Sequence, residues 1–409
     1  MTHRTQPITR FLRRRRLLMA GGALALAPMA RAQGAADWSR IESTARGQTL
    51  YFNAWGGSER TNAYLQWTAA ELAQRHGLKL EHVKLGDTAE VVKRVRAEKA
   101  GGRVADGSAD LIWINGENFL AMKREGLLFG PWSEKLPSYA AVDTVGKPTT
   151  RVDFSEPVEG MEAPWGMAQL TFFADSARVP LLPASLAELT EWAKKNPGRF
   201  TYPKPPQFHG TTFLKQVLLE SGGDRKALYA PHTPETFART TAPLWAALDA
   251  LHPSLWKQGK QFPANTPVMR QMLADGELSI SLTFNPNEAA NQIAAKTLPG
   301  SVVSYQHSAG TIGNTHFLAI PFNARAKEAA QVAANFLLSP LAQARKADIR
   351  HWGDPTVLAL DKLSAAERAL FTAAAAPGQV GRAAPTLPEP HGSWVDPIER
   401  EWTRRYGAT

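Results

Sequence analysis

The chain has 409 residues, of which 44% are apolar and 21% charged, as expected for a protein that folds into roughly two or three domains. It contains no cysteine, which excludes disulfides, thiolate metal sites, cysteine nucleophiles and a lipid anchor on an N-terminal cysteine. The formal net charge of +10 would suggest a nucleic-acid partner, but its distribution along the chain argues against one.

Residues 1–32 have the three parts of an export signal. Seven arginines and no acidic residue lie here, an apolar run extends from Leu17 to Pro28, and Ala30-Arg31-Ala32 forms a cleavage site before Gln33. Without these arginines the 47 basic residues fall to 40, against 37 acidic ones, so no nucleic-acid partner is expected. The run is shorter than the roughly 20 residues that span a bilayer. We predict a cleaved leader and a periplasmic protein, exported by the general or the twin-arginine route; a short membrane anchor is the alternative.

Strands and helices alternate along the first part of the mature chain. Strand patterns occupy Thr49–Ala54, Leu78–Lys84 and Asp110–Asn115, and helical patterns cover 61–76 and the segment that begins at Asp87. Gly116-Glu117-Asn118 is predicted as a polar loop that precedes a helix through Lys123. This alternation predicts an α/β lobe with a largely parallel sheet.

A second alternation follows Trp165–Ala174, a strand-like segment that leaves the first lobe. Helices are predicted from Ser185 and over 211–221, 236–251, 266–274 and 324–338, and strands over 200–202, 278–284 and 315–321. The tail over 376–390 is rich in proline and glycine and is expected to wrap the surface. Crossings near 165–174 and 310–322 predict a first lobe of 33–165 and 315–409, a second lobe of 166–314, and a cleft at the hinge between them.

Motifs for catalysis and nucleotide binding are absent from the sequence. Residues 102–108 have Ser108 where a phosphate-binding loop needs lysine, and Arg60 stands where a serine-hydrolase elbow needs glycine. The ten histidines are scattered and include no His-Glu-x-x-His motif. We therefore predict no catalytic residue, no cofactor and no metal site. A periplasmic hydrolase that uses cleft carboxylates is the alternative.

Aromatic and polar residues near strand ends form the candidate ligand site. Loops at the carboxyl ends of strands in α/β sheets face the ligand crevice, and aromatic rings there can stack on planar or cationic groups. Each residue alone fits a cap, a turn or a packing role equally well, so their joint placement is the evidence. The candidates are Trp55, Gly56, Gly57, Ser58, Glu117, Asn118, Trp165, Tyr202, Thr211, Thr212, Asn285, Asn287 and Glu288.

The role of each candidate depends on the charge of the solute. Trp55, Trp165 and Tyr202 would supply stacking. Glu117 and Glu288 would bind a cation, such as thiamine or a polyamine. Ser58, Thr211, Thr212 and backbone N–H groups would instead dominate for an oxyanion.

Several segments resemble the substrate-binding proteins of ABC transporters. They are the leader, residues 53–58 (NAWGGS), 113–119 (WINGENF), Tyr202-Pro203 with 208–211 (FHGT), and 335–340 (NFLLSP). The similarity covers nearly the whole mature chain and is strongest to a YnjB-like branch related to thiamine-, iron- and polyamine-binding proteins. It implies a two-lobed type II periplasmic binding fold of the α/β class, with a discontinuous first lobe and a hinge.

The resemblance also implies a function and partners. The protein would capture a small solute between its lobes and deliver it to the transmembrane subunits of an ABC permease, with ATP hydrolysis on a separate subunit. We expect a monomer. A ligand sensor that docks on a receptor is a further alternative.

Overall fold

The computed structural model describes residues 1–3, 37–222, 224–371, 376–381 and 384–407. The predicted leader therefore lies outside the described residues, apart from its first three. The helices are α1 (37–45), α2 (Glu59–His76), α3 (Ala89–Ala100), α4 (Gly116–Arg124), α5 (Leu186–Lys195), α6 (Phe208–Glu220), α7 (Arg225–Leu228), α8 (Pro234–Leu251), α9 (Thr266–Ala274), α10 (Glu288–Ala294), α11 (Lys327–Leu337), α12 (Pro340–Ala347), α13 (Ala365–Arg368) and α14 (Val395–Tyr406). Across the described ranges, no helix combines the length and the apolar character needed to cross a membrane.

Two separate sheets organise these helices. The strands are β1 (Thr49–Trp55), β2 (Lys79–Leu85), β3 (Leu111–Ile114), β4 (Val152–Asp153), β5 (Glu156–Pro157), β6 (Glu162–Gln169), β7 (Thr171–Asp175), β8 (Ile280–Thr283), β9 (Val302–Tyr305), β10 (Thr311–Ala319) and β11 (Thr386–Leu387). The first sheet has the order β11-β10-β3-β1-β2, with β6 also paired to β10, and the second has the order β8-β7-β9. The pair β4–β5 forms a small separate ribbon.

The first sheet is mixed rather than fully parallel. β1 pairs with β2 and β3 in parallel, as predicted, whereas β10 runs antiparallel to both β3 and β6. Helices cover both faces: α2 and α11 pack with Phe52 on one, and the buried stripe of Val91, Val92 and Val95 on α3 packs with Ile112 on the other. Covered faces of this kind explain why the strands are rich in apolar residues.

The segment predicted as one strand over 165–174 is two strands that belong to different sheets. Leu170 separates β6 from β7, and its N–H donates to the carbonyl of Ile312 at 2.7 Å. The chain thus enters the second sheet after β6 and returns to the first between β9 and β10. Both passages fall near the predicted crossings. The hydrophobic pattern continues through Leu170 without a break, which is why one strand was predicted there.

Two local predictions are wrong. Residues 200–202 form no strand; the carbonyl of Phe200 instead accepts from the N–H of Trp256 at 2.9 Å. Residues 116–118 are not a loop but the first turn of α4. The carboxylate of Asp153 accepts from the N–H of Gly116 at 2.6 Å, so a residue distant in sequence satisfies the start of this helix.

The end of the chain packs in the core of the second sheet. Trp394, Ile398 and Trp402 are fully buried there, and the indole N–H of Trp402 donates to the hydroxyl of Tyr202 at 2.8 Å. The sequence analysis grouped this segment, within 315–409, with the first lobe. The few apolar residues of the segment do not indicate which core they join.

We predict that Trp402→Ala lowers the free energy of unfolding by about 3–5 kcal/mol, because it removes a large side chain from a closed core. Urea unfolding followed by circular dichroism would measure the loss. Arg400→Ala on the same helix is the control, since the Arg400 side chain is 73% exposed. A loss of less than about 1 kcal/mol for Trp402→Ala would contradict the packing of α14 in this core.

Candidate ligand cavity

A cavity of about 170 Å³ lies between the two sheets. Its first wall comes from the residues that follow β1, β2 and β3, from β10, and from the loop after α12. Its second wall comes from the start of α6, from α9 and from the segment 282–288. The carboxyl ends of the parallel strands β1 and β3 therefore open onto it, where a ligand crevice is expected in an α/β fold.

Aromatic rings cover both walls of the cavity. Trp55, Trp113 and Trp352 line the first wall, and Phe173, Phe208 and Phe284 line the second. The ring centroids of Trp113 and Trp352 lie 5.7 Å apart. Such rings offer apolar surface and the negative face of a π-system to a bound group.

Two of the carboxylates in the lining are neutralised by cations. Glu288 pairs with Arg270 at 2.7 Å, and Asp354 contacts His316 Nε2 at 3.2 Å and the buried ammonium of Lys346. Burial would raise the pKa of Asp354, but His316 and Lys346 outweigh it and hold the pKa below its ordinary value. Both carboxylates therefore have a cationic partner within the protein.

Two other carboxylates of the lining form no ion pair within the described ranges. Asp87 accepts from the N–H of Ala89 at 2.9 Å, and Glu117 accepts from the Asn118 amide at 3.2 Å. Loss of hydration raises the pKa of Glu117 to about 7, with the positive charge of Lys215 acting in the opposite direction. The first wall thus carries negative charge that ion pairing leaves unbalanced.

Six of the thirteen predicted site residues line this cavity: Trp55, Ser58, Glu117, Asn118, Asn285 and Glu288. Gly56 and Gly57 border an adjoining groove. Gly57 supports the cavity indirectly, because a Cβ at this position would lie 2.3 Å from the ring of Trp55. Its lack of a side chain therefore leaves room for the indole.

Trp165 and Tyr202, predicted to stack on the solute, are core residues. Both are fully buried. Trp165 lies behind Trp113, with ring centroids 4.9 Å apart. The hydroxyl of Tyr202 lies between His252 Nε2, at 2.7 Å, and the indole of Trp402. Elements distant in sequence cover both rings, so neither lines the cavity.

Thr211, Thr212 and Asn287 also lie outside the cavity lining. The Thr211 hydroxyl donates to Glu399 at 2.6 Å, and the Thr212 hydroxyl donates to the carbonyl of Phe208 at 2.9 Å. α6 begins at Phe208, three residues earlier than predicted, so both threonines lie inside the helix. Asn287 donates to the carbonyl of Gly353 at 2.5 Å.

The sequence analysis missed several residues that line the cavity. Trp113 was not among the predicted site residues, but it stands one residue before the end of β3 and is only half-buried. A strand-end rule applied to it would have found it. The other missed side chains with polar or aromatic groups include His209, Arg270, Asn314, His316, Trp352 and Asp354. Trp352 and Asp354 come from a loop with no motif, so no sequence signal pointed to them.

Comparisons with known proteins agree with this architecture. Residues 67–364 match the family model described as bacterial extracellular solute-binding protein. Protein YnjB of Escherichia coli (strain K12) is 48% identical over 373 residues, which cover 91% of this chain and 95% of YnjB. The YnjB-like branch expected from the sequence is therefore confirmed.

Solved structures share the fold at low sequence identity. AfuA, a periplasmic binding protein from Actinobacillus pleuropneumoniae, superposes with a TM-score of 0.62 at 14% identity and covers 89% of this chain and 100% of its own. The spermidine/putrescine substrate-binding protein PotD from Streptococcus pneumoniae gives 0.58 at 13% identity, over 88% and 97%. These likenesses confirm the two-lobed periplasmic binding fold.

The raised pKa of Glu117 has a consequence for stability. In the unfolded chain a glutamate titrates near pH 4.3. Since the folded protein binds this proton more tightly, ionising Glu117 opposes folding as the pH rises from about 4.3 to about 7, and the loss persists above that range. We predict that Glu117→Gln has a higher Tm than the native protein at about pH 8 and little difference at about pH 4.

Thermal unfolding across this pH range checks the prediction. Glu288→Gln is the matched control, because it removes a carboxylate that is paired with Arg270. We expect the control to lower the Tm at about pH 8. A Glu117→Gln variant that loses stability at the higher pH would contradict the unbalanced charge of Glu117.

Proposed function

The chain belongs to the bacterial extracellular solute-binding proteins of ABC transporters, and we propose that it captures a small organic cation in the cavity between its lobes. We further propose that it works as a monomer in the periplasm and hands the solute to a membrane permease, while a separate subunit hydrolyses ATP. The second lobe would consist of about 166–314 together with α14.

The observation that carries this proposal is the combination of unbalanced carboxylates and tryptophans in one cavity. Asp87 and Glu117 supply negative charge to the same space that Trp55, Trp113 and Trp352 line with π-faces. A desolvated cation over a tryptophan gains about 2 kcal/mol or more, and a nearby carboxylate adds Coulomb attraction. The cations Arg270 and Lys346 are already engaged with carboxylates, which makes an anion the poorer fit.

The volume of the cavity suits a solute, or a part of a solute, that is compact. An engineered apolar cavity of about 150 Å³ holds one benzene molecule. The space of about 170 Å³ found here suits a group of about one ring, and the adjoining groove would hold the remainder of a longer solute. A thiamine-like ring or the end of a polyamine meets this limit.

Relatives of the same fold do not decide the charge of the solute. PotD is named for spermidine and putrescine, whereas AfuA was solved with fructose-6-phosphate. One architecture thus accepts both cations and anions, because function depends on the side chains of the site rather than on the fold. The side chains of this cavity favour the cation.

The cavity favours a function in ligand binding over a function as a hydrolase. Two of the lining carboxylates, Glu288 and Asp354, are each held in an ion pair. A general acid must hold its proton near neutral pH; ion pairing works against that at Glu288 and Asp354, and Glu117, with a pKa of about 7, is the lining carboxyl that meets the requirement. A sensor would use the same cavity; neighbouring permease and ATPase genes would favour transport over sensing.

We predict that organic cations stabilise the protein and that anions do not. A thermal-shift screen would compare thiamine, spermidine and putrescine with inorganic phosphate and fructose 6-phosphate, since a ligand that prefers the native state raises its Tm. For a cation that binds, calorimetry should give a Kd about tenfold weaker in Trp113→Leu, through loss of the cation–π contact. Trp192→Leu is the control, because Trp192 lies on α5, outside the cavity. Stabilisation by the anions alone would contradict the proposal.

We also predict that the affinity for a cation falls as the pH is lowered. Because the pKa of Glu117 is about 7 in the free protein, its ionised fraction drops about tenfold between pH 8 and pH 6. The Kd for spermidine, which stays charged over this range, should rise by about the same factor. Glu117→Gln should bind more weakly at pH 8 and lose this dependence. An affinity that rises at low pH would exclude a role for the Glu117 carboxylate.

A further inference from the structure

Building on the cation-binding function above, we propose that Asn314 determines specificity within the cavity. Its side-chain carbonyl accepts a hydrogen bond from an N–H group of the solute. The preferred solute is then a cation with N–H donors, such as an ammonium, an amidine or an aminopyrimidine, rather than a fully N-alkylated one.

Asn314 stands at the junction of the two lobes. It belongs to β10, where it pairs with Ala168 of β6, and its side chain lines the cavity. The residue is only 3% exposed. A side chain held on a paired strand keeps a fixed position, which a residue that discriminates between solutes requires.

A buried ion pair fixes the orientation of the Asn314 amide. Asn314 Nδ2 donates to Glu389 Oε1 at 3.0 Å, and Glu389 in turn pairs with Lys215 at 2.6 Å. The side chains of Glu389 and Lys215 are each 2% exposed. The Glu389 oxygen accepts this hydrogen bond, so the NH₂ group of Asn314 faces Glu389. Its carbonyl oxygen is thereby left without a contact to Glu389.

The carbonyl oxygen of Asn314 accepts no hydrogen bond within the described part of the chain. Buried acceptors without a partner are rare and destabilising, so such an atom in a cavity wall indicates a ligand contact. The hydroxyl of Thr61, which is 1% exposed and lines the same cavity, also has no partner there. Two residues of the cavity lining, on different elements, therefore each carry a buried polar atom that has no partner within the described ranges.

Several polar groups of the lining can accept a hydrogen bond from a solute. The Asn314 oxygen can only accept, the Glu117 carboxylate accepts when it is ionised, and the Thr61 hydroxyl can do either. The stronger donors of the lining are already used, since Arg270 contacts Glu288 and His316 contacts Asp354. A quaternary ammonium would satisfy the tryptophan faces but would leave Asn314 unpaired, and a site built to hydrogen-bond an N–H group rejects an analogue without it.

Two planar cations of fixed charge test this inference. The probes are 4-amino-1-methylpyridinium, which has an exocyclic NH₂ group, and 4-(dimethylamino)-1-methylpyridinium, which has no N–H. Calorimetry on the native protein should show at least about tenfold tighter binding of the first. Equal binding of both probes would overturn the inference and leave the cation-binding function intact.

Variants of Asn314 separate hydrogen bonding from the size of the probes. Asn314→Leu should bind the amino probe about tenfold more weakly and the dimethylamino probe almost unchanged, so that the preference disappears. Thr315→Val, the next position on β10 and outside the cavity lining, should keep it. A preference retained in Asn314→Leu would overturn the inference. If that variant does not fold, the comparison of the two probes on the native protein decides.

If the protein does not bind cations at all, these binding experiments give a different result. If neither pyridinium binds but spermidine does, the same comparison is made between spermidine and its fully N-methylated form. If no cation binds to the native protein at any pH tested, the proposed function fails, and the role of Asn314 falls with it.

Discussion

The pairing of β10 with β3 on one side and β6 on the other is the constraint on which the rest of the structure depends. It brings the returning chain between the strands of the first sheet and fixes where both lobes meet. Trp113 on β3, Asn314 and His316 on β10 and the hinge strand β6 become neighbours only through this pairing. Antiparallel pairing specifies register closely, because a slip of one residue would turn every side chain to the opposite face. The cavity is therefore a consequence of strand register.

The carboxylates of the site differ in whether a cationic side chain pairs with them. Those that are paired support the fold, and those that the described residues leave without an ion pair remain for a solute. Ionised groups are tolerated in a folded protein when they are paired, and Asp354, Glu288 and Glu389 each contact a cationic side chain. Glu117 has no such ion pair within the described ranges. Its raised pKa means that ionising this side chain in the folded protein costs free energy. Groups held at a cost to stability are typical of functional sites. A bound cation would remove that cost, which links ligand binding to stability through one carboxylate.

Much of the fold could be predicted from the sequence, and about half of the predicted site residues line the cavity, for identifiable reasons. The ends of β1, β3 and β8 lead into Trp55, Glu117 and Asn285, and the rule for strand ends in α/β sheets placed these residues together correctly. The rule failed for Trp165 and Tyr202, because exposure of a ring depends on what covers it, and Trp352 and Trp402 come from distant segments. Trp113 was missed because the rule was not applied to it, although it stands one residue before the end of β3. The place of α14 depends on tertiary packing that no local pattern contains.

A crystal structure with a bound solute, obtained from a cation that stabilises the protein, is the most direct test of the central claim. The claim predicts a positively charged group against the faces of Trp55 or Trp113, within about 6 Å of a ring centroid and close to the Glu117 carboxylate. Arg270 should remain paired with Glu288. An anion in the cavity with Arg270 turned away from Glu288 to bind it, or a solute bound outside the space between the lobes, would contradict the claim.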